Sequence, residues 1–184
     1  MPAAILVIDL VNDTFAHDTP ISRAARAMMP ALNRFLAAAR RAGGRVVFST
    51  DSFLEGDFIF RGRMKPHSIR GTKGAEVAGL IERDPGDTWL PKRRFSAFFK
   101  TDLDQTLRLW GVDLVGVCGV TTNFCVLATA FDALCHDFKA VIIEDLCAAL
   151  TEEIHRTTLD NYRHNVLDPV FRVMKAEEFL RELD

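Results

Sequence analysis

Asp9, Lys92 and Cys125 are residues of this chain whose types and positions could do chemistry together. Asp9 closes the apolar run 3–8, Lys92 follows Trp89, Leu90 and Pro91, and Cys125 falls in the first turn of a helix predicted after the run 114–118. A thiol at the start of a helix gains from the positive helix end, which lowers its pKa, and from backbone N–H groups that can hold an oxyanion. A carboxylate at a neighbouring strand end can take the thiol proton if a lysine holds and tunes it. Each residue also has an ordinary reading. A cysteine on an apolar helix usually packs in a core, as expected for Cys118 and Cys135. Lys92 begins Lys92-Arg93-Arg94, which on its own reads as a solvated turn. Asp9 is harder to dismiss, because an acid that ends an apolar strand must be solvated or paired.

Such a set needs a scaffold that gathers strand ends. Segments 3–8, 45–49, 114–118 and 140–143 are short runs rich in Val and Ile, the pattern of strands buried on both faces of a parallel sheet. Weaker strands at 88–90 and 170–173 bring the number to about six. Between them, 22–42, 101–110, 124–135, 152–164 and 176–183 carry apolar residues at helical spacing, and Gly43-Gly44 stops the first. Strand then helix, repeated, predicts a doubly wound parallel sheet whose ligands bind beyond the strand ends. That rule adds Asp51, the segment 120–125, Glu144 and Asp145 to the candidates. Residues 51–74 carry Gly56, Gly62, Pro66, Gly71 and Gly74 without a clean period, and read as a long ordered loop or lid. No repeat or linker divides the chain, so 1–184 is expected to be one domain.

At 184 residues, with 48% apolar and 26% charged residues, the chain has the make-up of a folded globular protein. Twenty-three basic against twenty-five acidic residues leave no electrostatic footprint for nucleic acid or an anionic membrane, so a small-molecule partner is expected. No apolar run approaches the ~20 residues of a membrane span. The first run lacks the basic leader of a secretory signal, which predicts a cytoplasmic protein with its four cysteines free.

The stretch Val7-Ile8-Asp9-Leu10-Val11-Asn12-Asp13, then Lys92 with Ser96-Ala97-Phe98, then Gly119-Val120-Thr121-Thr122-Asn123-Phe124-Cys125-Val126 with Thr129 and Asp132-Ala133 resembles the isochorismatase-like cysteine hydrolases. Residues 66–76 look like the motif before that family's third strand. The resemblance implies a six-stranded parallel sheet in a three-layer α/β/α sandwich, a Rossmann-like hydrolase fold. It also implies Cys125 as nucleophile, Asp9 as its base, Lys92 in contact with that acid, and a cis peptide at Val120–Thr121 that turns the Thr121 and Cys125 amides toward an oxyanion. The reaction implied is hydrolysis of an amide or ureido C–N bond of a small molecule through a thioester, with ammonia or an amine released. Relatives are commonly dimers or tetramers, so a homo-oligomer is expected.

The nicotinamidase branch of that family adds a divalent metal such as zinc, held by an Asp-x-His pair and a later histidine. Asp51 and His67 match two of these positions, while Phe53 stands in place of the first histidine, and two protein ligands make a poor zinc site. The expectation is that the chemistry requires no cofactor, with a divalent metal such as zinc on Asp51 and His67 as the alternative. Val11 and Thr14 also depart from the branch's usual residues. Phe15, Phe60, Phe98 and Thr122 are candidates to line the substrate pocket, together with Phe58, Phe95 and Phe99, and Arg61, Arg63 or Arg70 could clamp a carboxylate. Competing readings are nicotinamidase proper, a thiol enzyme using His136, His155 or His164, and a non-catalytic binding module. A receiver or dehalogenase-type phosphatase is disfavoured because Leu10 and Val11 stand where those need acids. No glycine-rich phosphate cradle occurs.

Overall fold

Residues 2–183 are described by a computed structural model. The strands β1 (Ala3–Ile8), β2 (Arg45–Asp51), β3 (Thr88–Lys92), β4 (Leu114–Val120), β5 (Lys139–Ala148) and β6 (Phe171–Met174) form one parallel sheet in the order β3-β2-β1-β4-β5-β6. Every residue of β1 and β4 is buried, which is why both read as unbroken apolar runs. The helices α1 (Pro20–Arg41), α2 (Leu103–Leu109), α3 (Leu127–Cys135), α4 (Glu152–Asp160) and α5 (Ala176–Arg181) flank the sheet, making the expected α/β sandwich. Helix α1 starts two residues earlier than its apolar stripe suggests. Thr19 caps it by accepting the Ser22 N–H at 3.1 Å, and Pro20 fits the first turn, where its missing N–H is not needed. Phe35 of α1 meets Phe179 of α5 with ring centroids 6.0 Å apart.

The strand order reverses direction between β1 and β4, and the crevice at that switch is where open parallel sheets bind ligands. Gly119 lets the two strands approach there. Its φ is +112°, and a Cβ on it would run into the Ile8 backbone. Strand β5 is longer than predicted because its pairing jumps: Val117 faces Ile142, whereas Gly119 faces Cys147. The residues skipped include Glu144, which pairs with Arg163, and Asp145, whose Oδ1 accepts the Ala176 N–H at 2.8 Å. Glu144 thus holds the turn after α4 and Asp145 the start of α5, and neither lines the cavity over the strand ends.

The segment 51–74 is ordered and tied to the body. Phe53 bridges Ile69, with Phe53 N–H donating to the Ser68 carbonyl at 3.0 Å and Arg70 N–H to the Phe53 carbonyl at 2.8 Å. Buried Asp57 accepts the Leu54 N–H at 2.9 Å and pairs with Arg93 and Arg94 beyond β3. Among the described residues, no helix is long and apolar enough to cross a membrane.

Candidate active site

Asp9, Asp51 and Lys92 meet at the carboxyl ends of β1, β2 and β3. Lys92, only 1% exposed, donates from Nζ to Asp9 Oδ2 at 2.9 Å and to Asp51 Oδ1 at 2.5 Å. The Asp51 N–H donates to Asp9 Oδ1 at 2.7 Å, so both oxygens of Asp9 are held. Asp9 itself has a φ of +52°, a left-handed conformation in which aspartate is among the better-tolerated side chains, and its N–H still reaches the Ser49 carbonyl at 3.0 Å. Burial alone would lower the pKa of Lys92, but the negative charge of Asp9, with the hydrogen bond to Asp51 adding to it, raises it and fixes the ammonium. Asp51 is pushed up to about 7 by burial first and by Asp9 second, against the pull of Lys92.

Cys125 arrives from β4. Its turn, Thr122–Val126, is a single π-helical turn ahead of α3, with the Val126 N–H reaching back to the Thr121 carbonyl at 3.3 Å. The thiol comes close enough to the acids that Sγ and one oxygen each of Asp9 and Asp51 lie within 4.8 Å of one another. The expected lowering of its pKa by a helix end does not occur. Burial, and then Asp9, push the thiol well above its ordinary value, so the resting group is a thiol. The peptide between Val120 and Thr121 is cis. Behind the turn, Thr122 is fully buried and shares a hydrogen bond of 2.8 Å between its Oγ1 and His155 Nδ1.

A cavity of about 410 Å³ opens over this cluster, within the usual range for small-molecule sites. Asp9, Asp51, Thr121 and Cys125 line it, as do His67 and the aromatic side chains of Phe53, Phe95 and Phe124. The four pocket candidates Phe15, Phe60, Phe98 and Thr122 do not. Phe15 carries the Arg26 guanidinium over its ring at 5.1 Å, Phe60 stacks edge-on behind Phe53, and Phe98 lies flat on His136 in the core. Of the histidines weighed for a thiol enzyme, His155 meets Thr122, His136 stacks on Phe98, and none of His136, His155 or His164 lines the cavity. Asp13, Met64 and Ser68 also line it, although nothing in their residue types singles them out. Asp13 and Ser68 lie within the stretches that carry the family resemblance, their one signal in the sequence.

The family model of the isochorismatase domain matches residues 3–174 of the chain. The chain belongs to the isochorismatase family. Within the family, a probable inactive nicotinamidase of Arabidopsis thaliana is 34% identical over 85% of this chain and 85% of its own. N-carbamoylsarcosine amidase from Thermoplasma acidophilum shares 30% identity and superposes with a TM-score of 0.80, covering 96% of this chain and 98% of that one. Pyrazinamidase of Pyrococcus horikoshii, solved in complex with zinc, gives 25% identity and a TM-score of 0.82 over 95% and 99% of the two chains. This protein is accordingly an isochorismatase-like hydrolase.

The zinc of the Pyrococcus relative raises the question of whether this isochorismatase-family chain has donors for one. Asp51 and His67 both line the cavity, as does Phe53, 1% exposed, whose ring packs edge-on against His67 with centroids 5.5 Å apart. At the position where the resemblance expects a third ligand, this chain thus has a hydrocarbon ring with no donor atom. The closer group of Asp9, Asp51 and Cys125 already holds a cation, the Lys92 ammonium, hydrogen-bonded to both carboxylates. Neither donor set fits a divalent ion, the first for want of a third ligand and the second because the Lys92 ammonium already meets its charge.

Proposed function

We propose that this hydrolase cleaves an amide or ureido C–N bond of a small molecule through a thioester on Cys125. The observation that carries the reading is the meeting of a buried thiol with an ammonium-anchored carboxylate at the floor of a cavity. Because burial keeps the thiol protonated, attack requires a base beside it, and the Asp9 carboxylate is that base. As Sγ bonds to the carbonyl carbon, the thiol proton passes to Asp9 and the carbonyl electrons move onto oxygen. The N–H groups of Thr121 and Cys125, both cavity-lining residues, are assigned to that oxyanion. Collapse expels the nitrogen, which takes the proton from Asp9 and leaves as ammonia or an amine. Water, deprotonated by Asp9, then opens the thioester and restores the thiol.

Lys92 acts through Asp9 and Asp51, holding the base in place. The test is ammonia release over a panel of small amides and ureido compounds, nicotinamide among them, before and after chelation. Turnover is expected with wild type, unaffected by chelator, and lost in Cys125→Ala. A Cys125→Ala protein that kept its turnover would overturn the assignment.

A further inference from the structure

We propose that the cavity above Cys125 selects an uncharged amide and rejects one whose tail carries a carboxylate. The inference deepens the amidohydrolase reading and rests on it for the bond broken, while the charge preference stands on the walls of the cavity. Among the described residues that line it there is no arginine or lysine, and the basic side chains present are His17 and His67, the latter with Nδ1 against the Lys65 carbonyl at 2.9 Å, whereas Asp9, Asp13 and Asp51 supply three carboxyl groups. Lys92 lies beneath the floor with its side chain fully shielded and both acids between it and a ligand.

Asp13 is built into the wall. Its Oδ2 accepts the Ser68 N–H at 2.7 Å, and a Cβ at Gly74 would overlap its carboxylate, so that acid is packed in place. The arginines that the sequence offered as a clamp are elsewhere. Arg61 lies over the Phe58 ring at 5.9 Å, Arg70 donates from Nε to Ser52 Oγ at 3.1 Å, and Arg63 is exposed outside the cavity. Arg93 and Arg94, the cations that follow Lys92, pair with Asp57. The remaining walls are largely apolar, with Phe53, Met64, Phe95 and Phe124. A carboxylate entering this space would lose its hydration, meet no permanently charged cation, only the imidazoles of His17 and His67, and face a fixed like charge.

The test uses two alkylating reagents that differ only in this respect, iodoacetamide and iodoacetate. In each the sulfur displaces iodide, forming S–C as C–I breaks, with the thiol proton going to base. Rates are read residue by residue by peptide mass spectrometry at pH 8.5, with exposed Cys135 of the same protein as reference. The amide-to-carboxylate rate ratio at Cys125 is expected to exceed that at Cys135 by about tenfold or more, and Met64→Arg, which puts a cation at the rim, to pull it back. Equal ratios at the two cysteines overturn the proposal.

The same contrast is read without the thiol as the affinity of Cys125→Ala for benzamide against 4-carbamoylbenzoate. Tighter binding of the carboxylate overturns the proposal, and tighter binding of benzamide supports it. A retained ratio with no amide turnover defeats the amidohydrolase reading and leaves the charge preference standing. Turnover with equal ratios does the reverse.

Discussion

The buried ion cluster owes its stability to a single side chain, Lys92, which compensates two carboxylates that burial would otherwise protonate or expel. Lys92→Met keeps the length and removes the charge, leaving Asp9 and Asp51 facing each other. Stability is expected to fall by about 3–5 kcal/mol at pH 8, as for breaking any buried ion network. The sign of the pH dependence follows from Asp51, whose folded pKa is raised to about 7. A raised carboxylate favours the folded state below its unfolded pKa of 3.8, and that contribution is lost as pH climbs through about 7. Without Lys92 the ionised acid is costlier still, so thermal melts should show a larger deficit for the variant at pH 8 than at pH 5. An equal deficit at both would contradict the cluster's role. The pairing of Asp9 with Lys92 is legible in the sequence, because an acid that ends an apolar strand must find a partner, whereas the part of Asp51 is not, since its sequence position matches a metal ligand and the structure gives it to Lys92 instead. The state of the thiol is not legible either: a helix-start position argues for a low pKa, and only three-dimensional burial shows which effect wins.

The elements were legible to the degree that their burial is uniform. Strands β1 and β4 are buried throughout and announced themselves as Val- and Ile-rich runs, whereas the last residues of β5 follow a register jump that no local pattern encodes. The helix that the spacing of Phe124, Leu127 and Phe131 predicts over 124–135 begins instead with a π-helical turn that starts at Thr122, which helical periodicity does not reveal. Pocket aromatics were mostly misassigned because the chain has 14 phenylalanines, and a core ring such as Phe98 has the same sequence signature as a lining ring such as Phe95. Gly119 is where element geometry and site geometry coincide. Gly119→Ala forces a side chain into a positive φ and into the Ile8 backbone, one residue from Asp9. A loss of about 3 kcal/mol or more is expected in denaturant titration, with slowed turnover. At Gly56, where a Cβ meets nothing within 4 Å, alanine should stay within about 0.5 kcal/mol of wild type.

At the scale of the whole molecule, the segment 51–74 covers the site and is moored by polar contacts. Asp57 is its buried anchor, held at a pKa of about 2 by its hydrogen bond from Arg93 and then by that from the Leu54 N–H. A depressed carboxylate contributes stability above its unfolded pKa of 3.8 and loses that contribution as pH falls through about 2. Amide hydrogen exchange in this segment should therefore accelerate between pH 4 and pH 2 beyond the intrinsic rate change, ahead of β1 and β4, and Asp57→Asn should show the faster exchange already at pH 6. Uniform exchange across segment and core would count against the anchor.

The strand order has a temporal side as well. Lys92, Asp51, Asp9 and Cys125 stand side by side at the ends of β3, β2, β1 and β4, yet the bond between Lys92 and Asp9 spans 83 residues of chain. Contacts of such long sequence separation close late. A nascent chain leaving the ribosome therefore carries Asp9 and Asp51 well before their counter-ion, and the thiol later still. The centre comes into being only when the middle of the sheet is complete, so no shortened product of interrupted synthesis that stops before β4 carries Cys125.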